Sequence, residues 1–275
     1  MQNPRIAIIG AGSIGVAIAS GLVESGRFQP EHITLTRRKT ELLDEMRKRG
    51  FAVERDNGSA VRKSDVILVT VEPQGMDHVL EEIATDLKPG HHTVISVVTG
   101  VTTRQIARKL GSGIAVVRAM PNTAIAVRES MTCLASDTRN GSAIDVAKSI
   151  FDAVGKTLVI DESGMNAATA LGACGVAFFL RAIRAASQGG IEIGFHSAES
   201  LAIAAQVARG AATLLLSAEN HPEHEIDRVT TPRGCTIAGL NQMEHEGFSS
   251  AMIREITTSA EKASKLYPAE PDEDR

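Results

Sequence analysis

The sequence predicts an α/β protein in two parts: an N-terminal doubly wound sheet followed by an all-helical C-terminal half. Three observations carry this. Apolar, β-branched runs alternate with helical patterns through about the first 160 residues, as βαβ units require. The first run, Ile6 to Ile9, leads directly into Gly10-Ala-Gly12-Ser-Ile-Gly15, a G-x-G-x-x-G turn that opens a helix. From Met165 onward the β-branched runs give way to Ala-rich helical patterns.

Taken in order, residues 5–9, 33–37, 66–71 and 93–98 read as buried parallel strands. The intervening helical patterns are Ile14–Ser25, Lys39–Arg49 and Gly75–Leu87. A helix over Thr103–Leu110 and a strand over Ala115–Arg118 follow, then strands Met131–Ala135 and Thr157–Ile160 around a helix Ser142–Val154. This sets a dinucleotide-binding domain at residues 1–161 and a helical substrate and dimerisation domain at 162–267. The helical patterns there are Met165–Gly189, Ala198–Asn220, Cys235–Glu246 and Ser249–Leu266. Their many small residues leave little bulk per helix, so a partner subunit is expected to complete the core. The acidic, proline-interrupted tail 268–275 is expected to be disordered.

Composition narrows the function. Of 275 residues, 43% are hydrophobic and 23% charged, which is that of a soluble globular chain. A formal net charge of −4 argues against nucleic acid or an anionic membrane as the main partner. Ser163 to Leu180 is uncharged and about long enough to span a bilayer, but its Gly, Ala, Asn and Thr content suits packing inside protein. No basic-then-apolar leader opens the chain, and Cys133, Cys174 and Cys235 are too dispersed for a metal or disulfide framework; a cytoplasmic enzyme is expected.

The glycine turn predicts a Rossmann-like nucleotide site. Gly10 permits the tight turn, Gly12 lets a pyrophosphate approach, and Gly15 lets the helix pack on its strand. The amides of Ser13, Ile14 and Gly15 then face the phosphates. Where an NAD site has a carboxylate at the end of the second strand, this chain has Thr36-Arg37-Arg38-Lys39. Arginines suit the extra phosphate of NADP, so NADPH is the expected donor, with NADH as the alternative.

The helical half narrows the chemistry by what it lacks. No lysine occurs between Lys156 and Lys262, and the single tyrosine is Tyr267, so a helical lysine acid and a Tyr-Lys dyad are both absent. His221-Pro-Glu-His-Glu225 and Glu244-His-Glu246 read as polar helix ends or turns rather than metal ligands. The distinctive stretch is Val229–Leu240, where Pro232 and Gly234 break the chain and Cys235 or Thr236 starts a helix. Its free amides can bind an anion, and Thr236 can cap the helix, touch a ligand, or do both.

These motifs resemble the pyrroline-5-carboxylate reductase family over about residues 5–266. Val71-Glu-Pro-Gln74 is similar to its Val-Lys-Pro-Gln turn, and Arg118-Ala-Met-Pro-Asn-Thr123 to its Arg-x-Met-Pro-Asn-Thr loop. Glu219-Asn-His-Pro222, Asp227–Pro232 and Thr236–Leu240 resemble its C-terminal signature. The resemblance implies reduction of 1-pyrroline-5-carboxylate to L-proline by hydride from NADPH. It implies that Gly234, Cys235 and Thr236 hold the substrate carboxylate, with Thr231 beside them, and that Thr236 bonds the ring nitrogen as the catalytic residue. It further implies that Val71, Pro73, Ala119, Met120, Pro121 and Asn122 line the nicotinamide, and that Asn57 and Thr36–Arg38 meet the adenosine end. Homodimers interlocked through the helical domain, and rings of them, belong to the same implication.

The chain departs from the family's pattern around the substrate. Pro-Gly-Gly-Thr-Thr becomes Pro232-Arg-Gly-Cys-Thr236, and Ser-Gly-Ser-Gly-Pro-Ala-Tyr becomes Gly172-Ala-Cys-Gly-Val-Ala-Phe178. Glu72, Thr99 and Ala124 are further differences. Two alternatives therefore stand beside the main reading: a reductase of another cyclic imino acid, and an NADP-binding regulator without catalysis.

Overall fold

The computed structural model describes residues 4–136, 141–218 and 220–266; the expected disordered tail and Tyr267 lie outside them. Eight strands form one sheet: β1 (Ile6–Ile9), β2 (Ile33–Thr36), β3 (Ala52–Glu54), β4 (Val66–Val69), β5 (Thr93–Ser96), β6 (Ala115–Met120), β7 (Ser130–Ala135) and β8 (Gly155–Val159). Their order is β3-β2-β1-β4-β5-β6-β7-β8. From β3 through β6 every pairing is parallel, whereas β7 runs antiparallel to β6 and pairs in parallel with β8.

All four residues of β1, β2 and β4 are buried, which is why they read as continuous apolar runs rather than alternating ones. Alternate side chains feed two layers. Ile6 and Ile8 join one cluster with Ile18, Leu22 and Phe151, while Ala7 and Ile9 join another with Leu80, Ile83 and Ile106. Both faces therefore carry helices.

The helices of this part are α1 (Ser13–Glu24), α2 (Asp44–Lys48), α3 (Asn57–Arg62), α4 (Met76–Ala84), α5 (Thr103–Leu110) and α6 (Gly141–Phe151). The expected helix 39–49 divides into a 3₁₀ turn at Thr40–Leu43 and the short α2. At α5, the Thr102 side chain accepts from the Gln105 amide while Gln105 answers to the Thr102 amide. This capping box is worth about 1 kcal/mol. Neither β3 nor α3 belongs to the expected set.

The helical part begins with α7 (Met165–Ala168), one turn of π-helix at Thr169–Cys174, and α8 (Gly175–Glu192). Then come α9 (Ser197–Ala218), α10 (Pro222–Val229), α11 (Cys235–His245) and α12 (Phe248–Ala263). Helix α10 is not in the expected set, but residues 221–225 are its polar N-terminal end: His221 caps it, Nδ1 accepting from the Glu223 amide, and Pro222 opens it. The chain falls into two compact units, one comprising the chain up to Cys174 with the segment from Ser259, the other Gly175–Thr258.

Within the second unit, α8 and α9 pack on each other around Ser200, whose hydroxyl donates to the Ser187 carbonyl at 2.6 Å. Little else there is buried: Phe179, Leu180, Ile193, Val207 and Leu216 are all exposed. Two stretches, Glu162–Glu192 and Ser197–Ser217, are long and apolar enough to cross a membrane by length and composition.

His92, 3% exposed at the entry to β5, carries a prediction. Its Nδ1 accepts from the Lys88 amide at 2.8 Å, so the ring must be neutral there. Burial, then the neighbouring His91, push its pKa below the ordinary 6.5. The unfolded chain takes up the proton first, so stability is complete above about pH 6.5 and falls as pH drops toward the lowered folded value. The thermal midpoint is expected to drop between pH 7.5 and 5.5, and to drop less in a His92→Gln variant.

Candidate active site

The sheet order places a crevice where the chain's progress reverses: β2 and β3 lie on one side of β1, β4 on the other. Ligands of open α/β sheets sit outside the carboxyl ends of the strands at such a switch point. The loop after β1 is Gly10–Gly12, and the loop after β4 begins with Thr70 and Val71.

The three glycines have distinct reasons to be glycine. Gly10 has φ +81, and a Cβ on it would run into Val71 Cγ1. A Cβ on Gly15 would lie 2.8 Å from Thr70 Oγ1 and 3.0 Å from Ile8 Cγ2, so α1 needs that glycine to seat on β1. Gly12 faces open space, with only the Gly10 carbonyl within 4 Å of its would-be Cβ. It is also the N-cap of α1 and supplies no side-chain cap. The amides of Ser13, Ile14 and Gly15 therefore point outward without helical partners. An open glycine face plus uncapped amides fits a pyrophosphate.

The second strand completes the cradle. Thr36 is fully buried; its hydroxyl donates to Asn57 Oδ1 at 2.6 Å and accepts from the Gly10 amide at 3.3 Å. Asn57 Nδ2 in turn donates to Glu82 Oε2 at 2.8 Å. Both residues thus brace the glycine loop from behind. Arg37 Nη1 donates to the Ala11 carbonyl at 3.4 Å, which sets its guanidinium over the loop, and Arg38 is exposed beside it. Val71 contacts the Gly10 turn, and Pro73 opens a 3₁₀ turn leading into α4.

Ala119 and Met120 end β6, and Pro121 and Asn122 follow. Asn122 makes three bonds: its amide donates to Ser130 Oγ at 3.1 Å, its Oδ1 accepts from the Ala124 amide at 3.0 Å, and its Nδ2 donates to the Gly172 carbonyl at 2.9 Å. The strand direction puts this loop on the same carboxyl edge of the sheet as Gly10–Gly15.

In the second unit, Thr231 to Thr236 form the turn into α11. The Gly234 amide donates to the Thr231 carbonyl at 2.9 Å. A Cβ on Gly234 would sit 2.5 Å from Thr231 Oγ1. Gly234 is the N-cap and no side chain caps the helix. Thr236 therefore stands in the first turn of the helix and is not its cap. The amides around Cys235 and Thr236 have no side-chain cap, and such free amides can bind an anion. Arg233 is exposed and holds φ +61, a left-handed conformation that costs a non-glycine residue about 1 kcal/mol.

Beyond these residues the structure adds Glu82 and Glu162, which the motifs did not single out, and gives Gly172, the first residue of the altered 172–178 run, a bond to Asn122. The signal for Glu162 lay in Arg118, a cation in the apolar run Ala115–Met120, which demands a buried partner. Among the described residues no group of three His, Cys, Asp or Glu side chains could hold a metal. His221 is spent on capping, and Glu225 accepts from Asn220 at 2.8 Å and from Arg228 at 2.9 Å.

A glycine cradle at the switch point of a mostly parallel sheet defines a dinucleotide-binding oxidoreductase fold, and a family model for the coenzyme F420-dependent NADP oxidoreductases matches residues 5–100. A model of pyrroline-5-carboxylate reductase dimerisation matches residues 162–266. Pyrroline-5-carboxylate reductase 2 of Dictyostelium discoideum is 46% identical over 98% of this chain and 95% of its own. Pyrroline-5-carboxylate reductase 1 of the same organism is 48% identical over 97% of this chain, which spans half the length of that relative. A solved pyrroline-5-carboxylate reductase from Coxiella burnetii superposes with a TM-score of 0.89 at 28% identity, covering 97% of this chain and 100% of that one. The chain belongs to the pyrroline-5-carboxylate reductase family.

Proposed function

We propose that this protein reduces 1-pyrroline-5-carboxylate to L-proline with NADPH, the closing step of proline biosynthesis. The observation that carries the reading is the uncapped start of α11 with Thr236 in its first turn, in a chain 46% identical to a named reductase over nearly the whole of both. The amides of Gly234, Cys235 and Thr236 hold the substrate carboxylate, with Thr231 shaping the turn. The Thr236 hydroxyl bonds the ring nitrogen and assists its protonation. When bound, the reduced nicotinamide supplies the hydride. The substrate's C=N carbon gains that hydride and its nitrogen a proton, which yields the saturated ring. A cyclic iminium is already a good hydride acceptor, so positioning does most of the catalysis, and no lysine or tyrosine acid is needed.

Gly10, Gly12, Ser13, Ile14 and Gly15 hold the pyrophosphate, and Val71, Pro73 and Ala119–Asn122 line the nicotinamide. Arg37 and Arg38 take the 2′-phosphate, while Thr36 and Asn57 shape the adenosine end. Two charge-assisted bonds at roughly 1.5 kcal/mol each amount to about a hundredfold in affinity. An Arg37→Ser/Arg38→Ser variant is therefore expected to raise the KM for NADPH about a hundredfold and to leave NADH kinetics nearly unchanged. Equal losses with both cofactors would count against NADP selectivity.

The dinucleotide-binding domain is taken as residues 1–161 and the substrate and dimerisation domain as 162–267. A homodimer covers the exposed apolar faces of α8 and α9, in keeping with the dimerisation match over this segment; this reading places the enzyme in the cytoplasm rather than in a membrane. Size-exclusion chromatography with light scattering tests the dimer and any ring built from it. Removing the Thr236 hydroxyl should lower kcat with 1-pyrroline-5-carboxylate about a hundredfold while NADPH still binds. A fully active Thr236→Ala variant would remove Thr236 from the chemistry. A second reading, a different cyclic imino acid, is favoured by Arg233, an exposed cation at the start of the substrate turn.

A further inference from the structure

Arg118 is the one strongly buried cation of the described sheet, 3% exposed in the middle of β6. Its Nη1 donates to Glu162 Oε1 at 2.7 Å, and the same oxygen accepts from the Thr103 amide at the start of α5 at 3.3 Å. Arg118 Nε and Nη2 and Glu162 Oε2 are buried without a hydrogen-bond partner. A buried ion pair left short of bonds is a poor way to gain stability; apolar side chains of similar size would serve as well or better. Its value must lie in what it fixes.

What it fixes is legible from the strand. Side chains at positions two apart share one face, and Arg118, Met120 and Asn122 are such a series. Each is tied to one short stretch of chain: Arg118 to Glu162, Met120 to a cluster holding Met165 with Ala168 and Ala173 at its edge, and Asn122 to the Gly172 carbonyl. The opposite face carries Val117 and Ala119 into the main core beneath α1. Gly172 lies in the π-turn Thr169–Cys174, and such turns concentrate at functional sites. One face of β6 and its extension is thus bolted at three points to residues 162–172, all within the first compact unit.

We infer that Arg118 and Glu162 are positioning residues for hydride transfer: they hold the Ala119–Asn122 loop in register against residues 162–172. This rests on the proposed reaction and on that loop lining the nicotinamide. Neither side chain is among the residues proposed to meet the cofactor, so the pair sets the geometry of the reacting groups and leaves cofactor affinity alone. Small misplacements of reacting groups cost rate steeply.

The test compares the parent, Glu162→Ala, Glu162→Gln and the double variant Arg118→Met/Glu162→Met, each as the full chain. Glu162→Ala strands the guanidinium, whereas the double variant removes both charges and keeps the volume. The double variant is expected to regain the parent's thermal midpoint and its NADPH Kd within about twofold, yet to keep a kcat about ten- to a hundredfold below the parent. Glu162→Gln should show the same split of intact Kd and reduced kcat, and it decides the matter if the double variant does not fold. Parent-like kcat in the double variant, or in Glu162→Gln where that one decides, would overturn the positioning role and leave the pair purely structural. A parent that binds NADPH but does not reduce 1-pyrroline-5-carboxylate would instead contradict the functional reading on which the inference rests.

Discussion

Glu162→Ala is expected to destabilise the protein by about 3 kcal/mol, the lower end of the range for breaking a buried pair. The loss comes from the partner left behind. Arg118 is 3% exposed, and Glu162 is its one charge partner among the described residues. Without it, three guanidinium nitrogens sit buried and unbonded, two of them already so in the parent. Glu162 itself is 23% exposed, which places the estimate at the lower end. At roughly 2–4 °C per kcal/mol for a chain of this size, the thermal midpoint falls by about 10 °C. Differential scanning calorimetry at pH 7.5 measures it; a drop under about 2 °C would mean that water solvates the guanidinium readily and that Arg118 is less committed than its burial implies.

Gly10→Ala is expected to abolish cofactor binding and to lower stability at once. The backbone at φ +81 is strained for any side chain, and the new Cβ would collide with Val71 Cγ1 on the neighbouring strand's loop. Left-handed strain alone costs about 1 kcal/mol, and overpacking a tight contact adds about 1–3. Relief requires moving the loop, which breaks the Gly10–Thr36 bond and displaces the amides of α1. Fluorescence titration with NADPH should show at least a hundredfold weaker binding. Gly12→Ala makes the informative contrast: its Cβ points into open space, so it should leave stability nearly unchanged and weaken the cofactor through contact alone.

Which parts of this could be read from the sequence follows from where the signals are local. β1, β2 and β4 were legible because strands buried on both faces are continuous apolar runs, and α5 matched the expected Thr103–Leu110 because its cap is written in Thr102 and Gln105. Strand β3 was not: three half-buried residues at the sheet edge leave no run to see. α10 hid because its sequence, Pro-Glu-His-Glu, is polar and its start depends on a histidine cap. The reversal at β7 follows from the tight return through Asn122 and a left-handed Arg128, too short a connection for a parallel crossover.

The nucleotide cradle was legible in the same way, since each glycine has a local reason. The bracing behind it was not. Thr36, Asn57 and Glu82 come from three elements and meet only in the fold. The same holds for Arg118 with Glu162, 44 residues apart, and Asn122 with Gly172, 50 apart. Motifs name the residues that face a ligand. The ones that hold those residues still have no spacing to betray them.

Hydride transfer from NADPH to a five-membered cyclic imine is tested most directly by steady-state rates on five- and six-membered cyclic imino acids, with NADPH and NADH side by side. The highest kcat/KM is expected for 1-pyrroline-5-carboxylate with NADPH. A clear preference for the six-membered ring, or bound NADPH that none of the substrates oxidises, would contradict it.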